Sequence, residues 1–531
     1  MSVSAVGKAI GGRTLARVIG AILAGLLLAF AFQPFDLWFL AVLAPGLLAL
    51  LVREQSLKLS MLSGFVFGLA FFLPLMWWTG LEVGPVPWIL LALLQAAFFV
   101  PLGIGFTLVQ RLPAWPLWIA AVWVAVEALR GRVPWGGLTW GKLAFAQVDA
   151  PFLGLGALGG TPLVSFAVAL TGGLLAWIVV NRNMRMRVAA GLAAGGLTMA
   201  GLLVSPPAAD GETVTIATVQ GNVPVMGLDF NSRARVVTNN HVEVTERLAA
   251  DVASGEVEQP DIVVWPENSS DMNPYRDQQT YDNIQHAVDT IGVPVFVNVR
   301  VPTEDEQNVE NTAVLWHPET GPAESYIKRH PMPFGEYIPM RNIARMITDA
   351  VDRQPRDFVS GDEAGIFDTA AGSIGMAICF EVGFDAIVRD AVVEGGQVLA
   401  VQTNNATFRD SPMTEQHLAM SRFRAVEHGR TVIVSALAGV SAVVAPDGEV
   451  LQRAELFTQD VLVAEVPLSD ARTVATAVGT WPEWIIVALA LGALGGLGLT
   501  TLRRGRAVDA APAEKTDMVP AGMSSEAGSR M

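Results

Sequence analysis

The chain has 531 residues, of which 52% are hydrophobic and only 16% are charged, and its formal net charge is −15. The mean hydropathy of +0.43 is too high for an ordinary water-soluble domain, so the composition excludes that class and indicates a membrane protein. An acidic chain repels the phosphate backbone, which argues against a nucleic-acid partner.

The charge is divided unevenly along the chain. Residues 1–209 carry 12 Lys and Arg against 5 Asp and Glu, a net charge of +7. Residues 210–480 carry 18 against 40, a net charge of −22. Two bodies of different chemistry therefore share one chain. We predict a membrane domain over 1–209 and an acidic domain over 210–480.

Apolar stretches of roughly 20 residues, long enough to span a bilayer, follow one another through the first 209 residues. Seven are predicted there, of which the second and the fifth are short, and an eighth lies far downstream. The predicted spans are Thr14–Phe32, Trp38–Val52, Leu59–Trp78, Trp88–Val109, Trp115–Leu129, Pro162–Val180, Val188–Val204 and Trp484–Leu502. The sequence thus predicts a polytopic α-helical domain of about eight transmembrane helices.

Lys and Arg residues set the expected orientation of these spans. Most basic residues flank them on one side, which the positive-inside rule assigns to the cytoplasm. They are Lys8, Arg13, Arg17, Arg53, Lys58, Arg111, Arg182, Arg185, Arg187, Arg503, Arg504 and Arg506. The exception is the connection Arg130–Gly160, which carries Arg130, Arg132 and Lys142 on the far side. With seven spans before it, the acidic domain is expected outside the cytoplasm. We predict a multi-pass protein of the bacterial cytoplasmic (inner) membrane, with its eighth helix at 481–506 and a disordered cytoplasmic tail at 507–531.

The acidic domain has a different pattern. Short β-branched runs recur in it, and two longer helix-like stretches, Ser232–Ala253 and Glu415–Glu427, lie between some of them. The runs are TVTIATVQ, DIVVW, VPVFVNV, AVLW, SIGMAI, QVLAVQ, TVIVSA and SAVVAP. Buried strands that alternate with helices predict an α/β layered domain.

Reactive side chains stand where three of these segments end. Glu267 follows DIVVWP, Lys328 and Glu336 lie in SYIKRHPMPFGEYIP, and Cys379 and Glu381 close SIGMAICFE. Sites form at the carboxyl ends of strands in α/β sheets, because several elements converge there. We therefore expect these side chains to lie close together.

Taken one at a time, these residues have ordinary structural explanations. A lone cysteine after an apolar run is more often a buried small hydrophobe than a nucleophile, and a glutamate or lysine is more often a cap or a surface charge. Taken together, they supply a nucleophile, a base for its proton and a cation for an oxyanion. A strand-to-helix turn would also give Cys379 thiolate character through the helix N-terminus. This chemistry needs no metal and no cofactor, and none is expected.

The order WPEN, Lys328 with PFGEYIP, and ICFE resembles the nitrilase superfamily, whose fold is an α-β-β-α sandwich. The spans before and after it, together with VQGNVP, EALRGRVPWG, GGTPLVSF and QHLAMSRFRAVEHGR, resemble the bacterial apolipoprotein N-acyltransferases. The resemblance covers nearly the whole chain except the tail. It implies a nitrilase-like catalytic domain at 210–480.

The resemblance also implies roles for individual residues. Glu267 would be the general base, Lys328 the oxyanion stabiliser and Cys379 the nucleophile, with Glu336, Glu381 and Phe380 supporting them. Three residues are candidates for substrate binding: Asn222 in VQGNVP, Trp140 in the loop Val133–Leu143 and Asn404 in TNNATF. The chain departs from the family pattern at Phe380, where tyrosine is usual, at Leu228-Asp229-Phe230, where a Lys-Trp pair is usual, and in TNNATF, where Asn-Asp-Ala-Trp-Phe is usual.

The family resemblance implies a two-step acyl transfer. A phospholipid would acylate Cys379, and the free amine of a diacylglyceryl-cysteine lipoprotein would then attack the thioester. Membrane lipids would surround the site, and the loops Val133–Leu143 and Glu336–Ile347 are apolar enough to form a substrate portal in the lipid. Two alternatives stay open. One is a membrane-tethered amidase that hydrolyses a small amide, and the other is a non-catalytic membrane scaffold.

Overall fold

The computed structural model describes residues 3–207, 211–223, 234–270 and 272–509. Leu228-Asp229-Phe230, Pro224 of the VQGNVP segment, and all of the predicted tail beyond Asp509 lie outside the described residues. The first three residues of that tail, 507–509, continue the last helix.

All eight predicted spans are helical in the structure, and one of them is divided into two helices. These helices are α1 Val3–Ala29, α2 Phe39–Val52, α3 Leu57–Leu75, α4 Pro85–Ala97, α5 Phe99–Val109, α6 Trp115–Arg130, α7 Gly156–Val180, α8 Met184–Ala200 and, at the end of the chain, α15 Trp481–Asp509. Short 3₁₀ helices occupy Trp77–Gly80, Leu143–Gln147, Leu153–Leu155 and Gly201–Leu203 in the same region.

Length and composition qualify six segments of the described chain as membrane spans. They are Gly12–Ala29, Leu57–Leu75, Pro85–Val109, Leu153–Val180, Met184–Leu203 and Trp481–Leu499. Helix α2, with 14 residues, and helix α6, with 16, are shorter, and these are the two predicted spans that are short in the sequence.

The structure shifts the boundaries of several predicted spans, the first of which begins at Val3 and not at Thr14, and for two others the physical reason is clear. The span at 88–109 is two helices that meet at Phe98, because Pro101 in the first turn of α5 lacks the N–H that would continue the helix. Helix α7 begins six residues before the predicted Pro162 and bends at Gly159 and Gly160. Gly160 has φ +63°, and a β-carbon there would lie 2.3 Å from Oε1 of Glu427, so glycine is required at the bend.

The acidic domain contains two six-stranded sheets among the described residues, and all eight predicted strands are present. The first sheet has the order β12-β1-β2-β3-β4-β5 and the second β11-β10-β9-β8-β7-β6. The strands are β1 Thr213–Gln220, β2 Ile262–Val264, β3 Val295–Pro302, β4 Val309–His317, β5 Gly321–Ile327, β6 Ile366–Thr369, β7 Gly372–Ile378, β8 Val398–Thr403, β9 Val432–Ala436, β10 Ala442–Val444, β11 Val450–Arg453 and β12 Asp460–Pro467.

Helices cover both outer faces of the stacked sheets, as the predicted α-β-β-α sandwich requires. The remaining helices are α9 Ala234–Ser254, α10 Gln278–Ile291, α11 Arg341–Arg345, α12 Asp385–Val393, α13 Met413–His428 and α14 Val474–Val478, with 3₁₀ helices at Asp349–Arg353, Cys379–Gly383 and Ala406–Phe408. Apolar residues of both sheets form one core, and α9 and α10 pack on the outer face of the first sheet. The two predicted helix-like stretches are α9 and α13.

The outer face of the second sheet is covered in a different way. Residues of α12 and α13 belong to the same apolar cluster as the membrane helices, so this helix layer lies between the second sheet and the membrane region. Phe423 of α13, for example, packs edge-on against Phe145, with ring centroids 5.8 Å apart. The membrane region therefore packs directly onto the helix layer of the second sheet.

Candidate active site

Glu267 lies in the turn after β2, three residues beyond the end of that strand, and is buried. Its Oε1 accepts hydrogen bonds from Nζ of Lys328 at 3.0 Å and from Nδ2 of Asn311 at 2.8 Å. Its Oε2 accepts from the backbone N–H of Asn404 at 3.1 Å. Three donors thus hold this carboxylate in one orientation.

Lys328 follows β5 directly and is only 2% exposed. Its ammonium lies between two carboxylates, since Nζ also donates to Oε1 of Glu336 at 2.9 Å. Glu336 is held in turn by Asn311, at 2.9 Å, and by the backbone N–H of Met332, at 2.6 Å. The three groups predicted to meet at the strand ends on this side, Glu267, Lys328 and Glu336, therefore form one buried cluster.

The ionisation states of Glu267 and Lys328 follow from their burial and from the neighbouring charges. Burial alone would raise the pKa of Glu267, but the Lys328 charge and hydrogen bond outweigh it, and the pKa of this carboxyl lies below its usual range. Burial would lower the pKa of Lys328, but the charges of Glu267 and Glu336 outweigh that and raise it. The site therefore holds a carboxylate and an ammonium at neutral pH.

Cys379 follows β7 and begins the 3₁₀ helix Cys379–Gly383 with a φ of +52°. Left-handed backbone at a residue with a side chain costs on the order of 1–3 kcal/mol and persists only where the surroundings hold it. His417 of α13 contributes to this, because its Nε2 lies 2.9 Å from the carbonyl oxygen of Cys379. The side chains of Glu267 and Thr403 lie close enough to Cys379 to affect the pKa of its thiol.

The expected thiolate character of Cys379 is wrong. Burial, followed by the negative charge of Glu267, raises the pKa of the Cys379 thiol to about 12. The helix after Cys379 is a single short 3₁₀ segment, so its terminus supplies too small a dipole to offset these effects. The resting site thus holds a neutral thiol beside a carboxylate that can take its proton.

Glu381 lies at the site, but its hydrogen bonds are with backbone N–H groups and the Tyr326 hydroxyl and not with Lys328. Its two oxygens accept from the backbone N–H groups of Arg329, His330 and Ile378, at 2.7, 3.0 and 2.8 Å, and from the Tyr326 hydroxyl. Burial raises the pKa of Glu381. This side chain ties the segment after Lys328 to the residue before Cys379, so it fixes the distance between the two sheets at the site.

Phe380, which follows Cys379 in the chain, and Trp140 form an aromatic pair. Their rings are stacked at 12° with centroids 6.5 Å apart, and Phe380 also contacts Phe384 edge-on. Trp140 is buried, and its indole N–H donates to Oε1 of Gln416 at 2.7 Å. The candidate substrate-binding residue from the membrane region therefore does reach the neighbourhood of Cys379.

The two candidate asparagines differ in their surroundings. Asn404 follows β8, and its backbone N–H contacts Glu267, while its side-chain oxygen accepts from the N–H of Ala406. Asn222 has φ +65°, and its side chain donates to the carbonyl of Phe457 at 2.6 Å. Asn404 therefore lies at the carboxylate, whereas Asn222 fastens two loops at the end of β1.

Sequence reasoning missed three residues of the site. Asn311 bridges the two carboxylates, Asn298 donates to Asn311 at 2.9 Å, and His417 holds the Cys379 carbonyl. His417 lies within the QHLAMSRFRAVEHGR segment, which was available as a signal. The two asparagines lie inside strands β3 and β4, where the local pattern indicates only a strand.

A thiol, a carboxylate and an ammonium that meet between two stacked sheets define a carbon-nitrogen hydrolase site. The family model described as carbon-nitrogen hydrolase matches residues 215–476, and the one described as apolipoprotein N-acyltransferase N-terminal domain matches residues 24–174. The chain belongs to the apolipoprotein N-acyltransferase family.

Curated relatives support the same membership over most of the chain. The apolipoprotein N-acyltransferase of Mycolicibacterium smegmatis is 39% identical, over 91% of this chain and 84% of that protein. The enzyme of the same name from Pseudomonas putida is 30% identical, over 89% and 95%. Among solved structures, one of the amidase from Nesterenkonia sp. AN1 matches with a TM-score of 0.39 and 18% identity, covering 53% of this chain and 98% of that one.

Proposed function

We propose that the protein is an acyltransferase that moves an acyl chain from a phospholipid, through a thioester on Cys379, to the N-terminal amine of a diacylglyceryl-cysteine lipoprotein. The observation that carries the proposal is the neutral Cys379 thiol beside the ionised Glu267–Lys328 pair, in a domain seated on a membrane region. The relatives named apolipoprotein N-acyltransferase support the lipoprotein acceptor and a lipid-related donor.

In the first step, the Glu267 carboxylate takes the thiol proton as the sulfur attacks the ester carbonyl of the phospholipid. The Lys328 ammonium stabilises the negative charge that develops on the carbonyl oxygen. The ester C–O bond then breaks, and the protonated Glu267 returns its proton to the leaving alkoxide. A lysophospholipid departs and the acyl chain stays on Cys379 as a thioester.

In the second step, the neutral amine of the lipoprotein attacks the thioester carbonyl. Glu267 accepts the amine proton, and Lys328 again stabilises the oxyanion. The C–S bond breaks, the sulfur recovers a proton from Glu267, and an amide forms. Both steps use the same base and the same cation, so one site performs them in alternation.

Lys328 is a poor nucleophile in this site. Its ammonium makes salt bridges to Glu267 at 3.0 Å and to Glu336 at 2.9 Å, and the charges of both carboxylates raise its pKa. A protonated amine has no lone pair to attack with, and Glu336 supplies a second negative charge that keeps it protonated when Glu267 is neutralised. We propose this as the role of Glu336.

An exposed apolar surface lies beside the site and supports access from the lipid. On the segment Glu336–Ile347, Met346 is 86% exposed, and Met340, Ile343 and Ile347 are about half exposed. On the other predicted loop, Val133–Leu143, Val133 is exposed but Thr139–Leu143 is buried, so only its first part is available for such contact. We propose that the exposed parts lie in the bilayer surface, where acyl chains avoid a cost of about 0.8 kcal/mol for each CH₂ that would otherwise enter water.

We propose the same division and orientation that the sequence predicts: a membrane domain at 1–209, a catalytic domain at 210–480 outside the cytoplasm, an eighth transmembrane helix at 481–506 and a cytoplasmic tail at 507–531. The basic residues at one side of the spans support this orientation. A fluorescent protein fused after Met531 is expected to fluoresce, because it folds in the cytoplasm. Absence of fluorescence from this fusion, together with activity of a periplasmic reporter fused at the same position, would contradict the orientation.

A small-amide amidase is the remaining catalytic alternative, because water in place of the amine would turn the same site into a hydrolase. The direct packing of the membrane region on α13 favours the acyltransferase, since a tethered amidase would need only one anchor. An intact Glu267–Lys328–Cys379 arrangement argues against a non-catalytic scaffold.

Mass spectrometry of the intact protein separates these functions. After incubation with phospholipid, an acyl adduct is expected on Cys379, and it should disappear when a diacylated lipopeptide is added. Cys379→Ser should keep the thermal unfolding temperature and lose acyl transfer by at least about 10³-fold. N-acylation by this variant, or rapid hydrolysis of a soluble amide without any adduct, would overturn the proposal.

A further inference from the structure

Helix α13 contacts the nucleophile and the membrane region through two adjacent residues. Nε2 of His417 lies 2.9 Å from the carbonyl oxygen of Cys379. The side chain of Gln416 accepts from the indole N–H groups of Trp140 at 2.7 Å and Trp78 at 3.2 Å, and donates to the carbonyl of Gln33 at 3.1 Å. One turn of helix therefore connects three segments of the membrane region to the strained residue that carries the thiol.

A second connection lies two turns further along α13. Arg424 is fully buried, donates from Nε to the carbonyl of Val382 at 2.8 Å, and pairs with Asp385 at 2.7 Å. Asp385 also accepts from Nζ of Lys142, in the membrane region, at 2.8 Å. The 3₁₀ helix that starts at Cys379 is thus held at both ends by groups that touch the membrane region.

The membrane side of these contacts is itself fixed. Arg130 of α6 donates to the carbonyl oxygens of Leu138 and Trp140, at 2.8 and 2.6 Å. Glu127, one turn earlier, accepts from the backbone N–H of Leu143 at 2.9 Å. The loop that presents Trp140 and Lys142 is therefore anchored on a helix of the membrane region and is not free to follow movements of α13.

We propose that His417 is a positioning residue that holds the Cys379 turn in its left-handed conformation. The position of His417 depends in turn on the membrane region, through the hydrogen bonds of the adjacent Gln416. The membrane region then aligns the thiol with Glu267 in addition to anchoring the enzyme. The inference concerns alignment for the acyl transfer and rests on the proposed function only for the identity of the acyl donor.

The chemistry of the contact defines the informative substitution. A carbonyl oxygen only accepts, so Nε2 of His417 must carry the hydrogen, and a neutral imidazole with that tautomer suffices. Glutamine can place an N–H close to the position of Nε2, whereas leucine fills the space without a donor. His417→Gln should therefore retain the hydrogen bond to the Cys379 carbonyl oxygen, which His417→Leu loses.

Thiol alkylation gives a direct measurement because Cys379 is the only cysteine of the chain. In the full-length protein in detergent, we expect His417→Leu to lower the rate of alkylation by iodoacetamide and the kcat of acyl-enzyme formation by about 10- to 100-fold, with KM unchanged, since a misplacement near 1 Å has an effect of this size. His417→Gln should restore both rates to within a few-fold of the wild type. His286→Gln, at an exposed histidine, is the matched control and should change neither.

Gln416→Leu extends the test to the contact with the membrane region, and it keeps the test informative if His417→Leu misfolds. It leaves His417 in place and should lower the alkylation rate and kcat together, by less than His417→Leu does. Unchanged alkylation in both leucine variants would overturn the proposal, and so would an equal loss in His417→Gln and His417→Leu. If alkylation follows this pattern while the wild type fails to acylate any lipopeptide, the positioning role stands and the proposed function falls.

Discussion

The two sides of the active site are held in different ways. Glu267, Lys328, Glu336 and Asn311 all belong to the first sheet and its loops, and they fix one another through short hydrogen bonds. Cys379 belongs to the second sheet, and besides the Glu381 contacts its turn is held by His417 of α13, the helix that the membrane region contacts. The charges are thus organised inside the catalytic domain, whereas the position of the nucleophile depends on the rest of the molecule.

The largest expected effect comes from the first side. Glu267→Gln removes the group that takes the thiol proton and should slow acyl-enzyme formation by about 10²- to 10⁴-fold, because a thiol with a raised pKa does not ionise unaided. Single-turnover kinetics with a phospholipid measure this rate. Glu324→Gln, on an exposed part of β5, is the matched control and should be unaffected. A Glu267→Gln rate near that of the wild type would mean that the carboxylate is not the base.

A second prediction tests the side that the membrane region supports. Arg424→Leu leaves the buried Glu427 carboxylate without its Arg424 partner and leaves the half-buried Asp385 with only Lys142, and should lower the free energy of unfolding by about 3–5 kcal/mol. Glu306→Gln breaks an exposed ion pair with Arg276 and should cost about 0–1 kcal/mol. Thermal unfolding in detergent compares the two. If both variants unfold at the same temperature, the buried network does not stabilise the contact between the domains.

The smallest effect is a difference in pH dependence between the two chemical steps. The pKa of Glu267 lies below its usual range, so this carboxyl is protonated only in acid, and thioester formation should be constant between about pH 6 and 8. The acceptor α-amine has a pKa of about 8, so the transfer step should rise about tenfold between pH 6 and 7. Stopped-flow measurement of each half-reaction checks this. Thioester formation that itself rose tenfold per pH unit would indicate attack by a thiolate formed without Glu267.

The sequence predicted much of the fold for identifiable reasons. Eight β-branched runs became strands because their side chains fill the core against the sheets. The spans became helices because a helix pairs the polar backbone groups of an apolar segment internally, which a bilayer requires. The strands β5, β6, β11 and β12 were missed. All four are the edge strands of their sheets and carry exposed or half-buried residues, so their local apolar pattern is weak.

The candidate site shows the same limit more sharply. Motif order predicted that Glu267, Lys328 and Cys379 would meet, and the structure places them together. It could not predict that Asn311 bridges two carboxylates, because one asparagine in a strand has no distinguishing pattern. The thiolate expectation failed because a thiol pKa depends on burial and neighbouring charge, which are properties of the assembled site.

Local composition and residue order determined the class of this protein: an apolar, basic region followed by an acidic domain with a glutamate, a lysine and a cysteine at strand ends. These are properties of the chain itself, since hydropathy, charge and periodicity act over short distances. Only the tertiary structure decided that the thiol is neutral, that Glu381 ties backbone to backbone, and that α13 connects Cys379 to the membrane region. Contacts between residues separated by hundreds of positions, such as Gln416 with Trp140 and Gln33, form only when the two domains pack together.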